Sequence, residues 1–535
     1  MPRRAARLVV AALSAAALTA AVLLAVPQTS SAAPARPTVS PANAVAGEPV
    51  VVRVRAPGRV KRPVLLQRSV AGRWRTVARA RTSARGEAAL RFTAAAATVR
   101  IVAPRAKVRG RTYAAWASST TRVVPRVVRT RLVSRDQTGG PIATVLPGTS
   151  ISSDGRWVAF ATYEDNVVAG DVNGMADVFV ADTRDGTVVQ VSHGARYGDG
   201  DGPSFAPSIS ADGSLVAFTS FSTTFDVADT NGASDIYLWH RTGDYVTRES
   251  VNYLGQPALG NASEPALSAD GRHLAYTSTA IDVTGRLDDR NGSGKDVFTR
   301  DLRTGVTRRV SLGPEGSTNG EAFSPAIDRD GSHIAFVSDV ASGLYPGDVP
   351  GDTNVLVWTS ATRRNALVSV GSTNARFGAG SDPTISADGR RVAYVVPAPS
   401  PGGGPLTTQI YLRDLRRPRA VLVSIGRDGR PFGEASQPSL DASGRHLAFY
   451  AVHPVAPGAS TITSDVFVRR LDIALTSLVS ANRAGRSGNG RSYEPVLDRT
   501  GDRVVFLTLA RDITGAPASL FPGFNVVVAD RRSRP

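Results

Sequence analysis

Residues 267–278 read "LSADGRHLAYTS", and residues 209–220 read "ISADGSLVAFTS". An Asp-Gly pair between two apolar runs marks a tight turn, with aspartate initiating it and glycine taking a positive φ. After the turn an aliphatic and an aromatic residue stand two apart, as Leu274 and Tyr276 do, with Ala275 between them. On a strand that spacing places the large pair on one face and the alanine on the other.

The stretch recurs. Its turn glycine falls at Gly155, Gly213, Gly271, Gly331, Gly389, Gly444 and Gly501, at spacings of 58, 58, 60, 58, 55 and 57 residues. A repeat of fixed period dictates architecture before any single residue does. The third copy shows four short apolar segments: "EPALS" (264–268), "RHLAYTS" (272–278), "DVFTRDL" (296–302) and "VTRRVSL" (306–312). The residue between the large pair is alanine in six copies. Small on one face and large on the other suits sheets stacked face to face. A proline stands six residues before the turn glycine in six copies (Pro207, Pro265, Pro325, Pro383, Pro438, Pro495), a position open to proline if the first strand is an edge. Seven four-stranded units predict an all-β, seven-bladed β-propeller.

The ends of the chain bear on closure. The seventh copy stops at "NVVVADRRSRP" without a fourth strand, whereas "RTRLVSRDQTG" (129–139), ahead of the first copy, matches the fourth-strand segments "TRRVSLGPEG", "NALVSVGSTN" and "AVLVSIGRDG". Residues 129–134 are therefore expected to complete the last sheet and remove an exposed edge.

Upstream, residues 1–32 have a basic start, an apolar run from Leu8 to Val26 and a small-residue exit, the pattern of a cleaved secretory signal peptide. No other stretch is apolar enough to cross a membrane. Residues 33–124 hold short alternating runs such as "EPVVVRVRA", "RWRTVARA" and "TVRIVAP", expected to form a small immunoglobulin-like or fibronectin-like β-sandwich, with 125–128 as linker and 129–535 as propeller. There is no cysteine, which excludes disulfides, thiol catalysis and cysteine-bound metals.

The net charge of +18 is concentrated at the front: residues 33–125 carry 19 basic residues against Glu48 and Glu87, while 126–535 is nearly balanced. Under the two-residue period Arg53 with Arg55, and Arg73, Arg75, Arg79 and Arg81, fall on single faces, two basic stripes suited to an anionic envelope polymer or another polyanion. Dedicated nucleic-acid motifs are absent.

The "SxDGxxVAF" and "DVFVxD" signatures make residues 129–535 resemble the TolB-like, WD-repeat-like β-propellers of secreted and periplasmic bacterial proteins. The resemblance implies a fold. Such propellers serve as binding platforms, as accessory domains of peptidases, and occasionally as lyases or glycosidases.

No nucleophile elbow, zinc helix or phosphate loop occurs. His273, His333 and His446 share one repeat position and read as surface or interface residues. The candidate metal ligands are in the loops "DVNGMAD" (Asp171, Asn173, Asp177) and "DTNGASD" (Asp229, Asn231, Asp235), where oxygen side chains two apart and a turning glycine could gather around calcium. Ordinary Asx-turns explain the same residues. No other cofactor is expected.

These observations lead to a secreted or cell-envelope-associated monomer that binds a protein or glycan ligand on a propeller face, with the basic sandwich as attachment. The rival readings are a polysaccharide-active lyase or glycoside hydrolase with acidic residues in the propeller channel, and a purely structural surface protein.

Overall fold

In the computed structural model the repeats form seven four-stranded antiparallel sheets among the described residues, which are 35–40, 49–123, 128–194, 198–285, 291–313, 320–339, 344, 353–369, 379–400, 404–452, 464–514 and 523–531. Residues 1–32, expected to be a signal peptide, lie outside them. The chain is all-β, with propeller-like sheets and a single short helix, Arg511–Thr514, among the described residues. It divides into two compact units, one holding Val51–Phe92 and Ala97–Arg122 and the other Val123–Pro535.

In the larger unit the third sheet is typical: Ala262–Leu267, His273–Ser278, Asp296–Asp301 and Val306–Arg309 follow one another in chain order. The last sheet breaks that order. Its strands Ser492–Leu497, Arg503–Thr508 and Asn525–Asp530 are completed by Arg129–Leu132, with Arg131 opposite Val528 and Leu132 opposite Val527. The first strand of every sheet lies against that of the next, and the last sheet's against Val145–Ile151 of the first, so the sheets close into a ring.

Side-chain size explains the stacking. Phe160, Phe218, Tyr276, Phe336, Tyr394, Phe449 and Phe506 are all fully buried. Phe218 packs on the sheet of Ala159, Tyr276 on that of Ala217, Phe336 on that of Ala275, Tyr394 on that of Ala335, Phe449 on that of Ala393 and Phe506 on that of Ala448. Phe160 closes the series against the sheet of Val505, the one copy without alanine. Each aromatic fills the space that the facing small residue leaves.

The turn glycines hold a second set of contacts between sheets. All seven have φ between 61° and 75°. A Cβ on Gly331 would collide with the ring of His273, one on Gly389 with His333, and one on Gly501 with His446. Trp157, Leu215, Arg391 and Arg503 take the same place under Gly213, Gly271, Gly444 and Gly155. The repeat-position histidines are therefore wedges between sheets.

A third repeated device locks each outer strand. A buried serine near its end accepts a backbone N–H from the third strand and donates to the acid or amide side chain just before it: Ser192 to Asp177, Ser250 to Asp235, Ser311 to Asp296, Ser369 to Asn354, Ser424 to Gln409 and Ser480 to Asp465. Both partners lie out of water, where an unmade bond would be expensive.

The smaller unit has a three-stranded sheet (Thr38–Ser40, Pro49–Arg55, Glu87–Thr93), a five-stranded sheet built on Ala97–Ala103 and Pro63–Val70, and the hairpin Ala106–Val108 with Arg111–Tyr113. Val52, Val54, Val64, Leu66, Leu90, Val99 and Ile101 are buried from both sheets. One of the basic residues is buried too: the Arg62 guanidinium donates to the carbonyls of Ala114 at 2.9 Å and Pro57 at 3.3 Å.

Candidate functional site

At the axis of the ring the backbone is strained in register with the repeat. Six first strands carry a register shift just where their proline stands, which has no N–H to give the ladder, and the first sheet, with Thr149 at that position, shifts between Leu146 and Ser150 as well. The residue before each proline is left-handed: Ala206 (φ 51°), Glu264 (57°), Ser324 (52°), Asp382 (47°), Gln437 (51°) and Glu494 (49°), with Gly148 (96°) in the first sheet. Non-glycine residues seldom adopt this conformation, and strain of this kind collects at functional sites.

At three of the seven junctions one of these residues bonds the next around the ring. Glu264 Oε2 accepts the N–H of Ser324 at 2.7 Å, Gln437 Oε1 that of Glu494 at 3.0 Å, and Glu494 Oε2 that of Gly148 at 2.8 Å. Thr277 also donates to Glu264, and Lys295 Nζ lies 3.5 Å from its other oxygen. Burial pushes the carboxyls of Asp382 and Glu494 above the usual range.

Aromatic rings adjoin this acidic arc. Tyr450 and Tyr493 meet edge to face at 5.1 Å, and Tyr493 meets Phe524 at 5.7 Å. Arg491 donates to the Tyr493 hydroxyl at 3.4 Å. Burial, reinforced by Glu434, raises the Tyr450 phenol. Tyr450 departs from its own repeat, whose other copies have Ala161, Thr219, Thr277, Val337, Val395 and Leu507 there. Tyrosine faces beside carboxylate and amide oxygens can stack on an apolar ring face and bond hydroxyl groups. Sequence reasoning missed this site. The signal in the sequence is the polar residue that precedes five of the six prolines, together with tyrosine at a position otherwise small or aliphatic.

The structure treats the two calcium candidates differently. Around Asp229, Asn231 and Asp235 the cation is internal: Arg248 lies 2.6 Å from Asp226, 3.3 Å from Asp235 and 3.6 Å from Asp229. Asn231 turns away, its amide donating to Ala258 O and its oxygen accepting the Ala233 N–H. This loop is an Asx-turn with an arginine at its centre. Around Asp171, Asn173 and Asp177, the Asn173 amide donates to Asp177 Oδ2 at 2.9 Å and its oxygen caps the Met175 N–H. Burial, with the Asp177 and Asp199 carboxylates nearby, pushes Asp171 up to about 7. Among the described residues no group of three or more acidic or histidine side chains is placed to hold a metal by itself.

One of the two arginine stripes is broken. Arg53 and Arg55 alternate with buried Val52 and Val54 and share a face. On Arg73–Arg81, by contrast, a bulge leaves Val77 without a partner: Thr76 pairs with Gln67 and Ala78 with Leu66. The extra residue reverses the alternation. Arg79 and Arg81 stand opposite Leu65 and Pro63, whereas Arg73 and Arg75 stand opposite Val70 and Arg68, which belong to the other face. The single stripe of four expected from the two-residue period is thus two pairs on opposite faces.

No protein-family model matches the chain, and no curated protein does. Solved structures are similar at low identity. An oligogalacturonate lyase from Vibrio parahaemolyticus is 12% identical with TM-score 0.46, over 75% of this chain and 97% of that one. The β-propeller domain of the Trilobed protease from Pyrococcus furiosus is 12% identical with TM-score 0.41, over 68% and 91%. A structure described as TolB from Agrobacterium tumefaciens is 17% identical with TM-score 0.33, over 55% and 87%.

Proposed function

We propose that this is a secreted or cell-envelope-associated binding protein. In this reading residues 129–535 are a seven-bladed, TolB-like β-propeller that presents its axial face to a glycan, and residues 33–124 are an immunoglobulin-like sandwich that attaches to an anionic envelope polymer. The observation that carries it is the pairing of Tyr450 and Tyr493 beside the Gln437–Glu494 arc of the axial ring. Stacking surfaces next to hydrogen-bonding oxygens are what a sugar ring requires.

A binding role is favoured over the lyase or hydrolase reading by how the carboxylates are used. Glu264 and Glu494 are acceptors for backbone N–H groups of the neighbouring sheet, which fixes them as structural acceptors and ill suits them to proton transfer.

Calorimetric titration of the full chain with neutral, amino and uronic-acid oligosaccharides tests the proposal. Binding by at least one class, weakened tenfold or more by Tyr493→Ala, supports it. Silence across all three classes, or equal affinity in the variant, overturns it.

A further inference from the structure

The first and second repeats carry matching loops, 171–177 and 229–235, but differ in what answers their charge. In the second, the Arg248 guanidinium is buried among Asp226, Asp229 and Asp235, and the Tyr237 hydroxyl donates to Asp229 at 3.1 Å. In the third, Arg309 occupies the same repeat position and pairs with Asp296. The first repeat keeps the acids and lacks the arginine: Gln190 stands where Arg248 does, and Phe179 where Tyr237 does. Asp171 is only 4% exposed and Asp177 is 1% exposed, and Asp199 adds a third carboxylate whose Oδ2 accepts the Val172 N–H. None of the three has an ion pair among the described residues.

Two further atoms mark a gap. Asp171 Oδ1 is buried without a hydrogen-bond partner, and so is Gln190 Nε2. Gln190 Nε2 belongs to the place that the guanidinium fills in the next sheet, and Asp171 Oδ1 to that of Asp229 Oδ1, which has no hydrogen bond either but lies 3.6 Å from Arg248. A carboxylate so deeply buried is stable as an anion only with a counter-charge.

We propose that a hard divalent cation of the calcium class binds in the first-repeat loop and replaces there the arginine that the second and third repeats carry in their own chain. Asp171 Oδ1 is its anchor. Asp177, whose oxygens hold the Ser192 hydroxyl and the Asn173 amide, keeps a second lone pair on each, and neutral oxygens complete the shell. Calcium accepts such mixed sets of carboxylate, amide and carbonyl oxygens. The inference assigns one loop of the two and is independent of the axial site.

The experiment uses the full chain stripped with a chelator. Calcium titration is expected to release or absorb heat at one site and to raise the melting temperature by a few degrees at saturating excess. Asp171→Asn should abolish both signals. Gln190→Arg restores the missing guanidinium, so it should raise the melting temperature of the stripped protein and leave calcium without effect. Absence of calcium uptake by the wild type, or a full calcium response in Gln190→Arg, overturns the proposal. Arg196 lies outside the described residues and is the rival counter-charge: a calcium-silent wild type whose Arg196→Gln variant melts lower would assign the role to it and also overturn the proposal.

Discussion

Ser134 Oγ accepts the backbone N–H of Val526 at 3.0 Å, across 392 residues of chain. The same oxygen donates to Asn525 Oδ1 at 3.3 Å, which makes the join between the two ends of the larger unit a seventh copy of the serine lock. The ring is thus closed with the hydrogen bonds that hold every other outer strand.

Ser134→Ala is therefore expected to lower stability by about 1–3 kcal/mol, since it strands a buried N–H. Ser480→Ala, in an uninterrupted sheet, should lose a similar amount or more, because its partner Asp465 is a carboxylate. Denaturant unfolding of both variants measures this. A silent Ser134→Ala would show that the serine lock contributes nothing to closure.

At the axial strain, Ala206 has φ 51° with no side chain reaching a neighbour's N–H, so Ala206→Gly should stabilise by roughly 0.5–1 kcal/mol. Gly148→Ala should do the reverse, at φ 96° with Ala206 Cα 3.3 Å from the new methyl. Thermal melts of the pair are predicted to move in opposite directions.

The histidine wedges give a contrast among the glycines. Gly389→Ala combines a φ of 67° with a collision against the His333 ring, whereas Gly429→Ala, at φ 84°, meets open space. The second is expected to cost about 1 kcal/mol and the first at least twice that. Equal losses would mean that the sheets separate freely enough to admit a methyl group.

His333 also predicts a pH dependence. Its Nδ1 lies 2.8 Å from Asp328 Oδ2, and that hydrogen bond, with Asp330 and Asp388 also nearby, raises the imidazole above its ordinary value. A histidine with a raised folded pKa contributes stability that is present below the unfolded pKa of about 6.5 and lost as pH rises through the folded one. His333→Gln should flatten the decline in melting temperature between pH 6 and 8. An unchanged slope would refute the assignment.

The divided arginine strand makes the last prediction. Arg73→Ser with Arg75→Ser and Arg79→Ser with Arg81→Ser remove charge from opposite faces, so only one pair should weaken retention on a heparin column at low salt. Equal effects would mean diffuse attraction with no binding face.

The sequence by itself determined the repeat, the four-strand unit and the place of residues 129–134, because two-residue alternation and Asp-Gly turns are local properties of the chain. The large and small faces of Tyr276 and Ala275 follow from spacing alone. Only tertiary structure decided which acidic loop is neutralised. Arg248 comes to Asp229 from a later strand, a meeting that spacing along the chain does not show. It also decided the fate of the arginines, since one unpaired residue, Val77, reverses every side chain beyond it without altering the pattern of residue types. The axial ring was hidden for a related reason. Glu264 and Glu494 show no motif, and their role arises when proline interrupts the ladder, the preceding residue turns left-handed, and its N–H is left for the neighbouring sheet to satisfy.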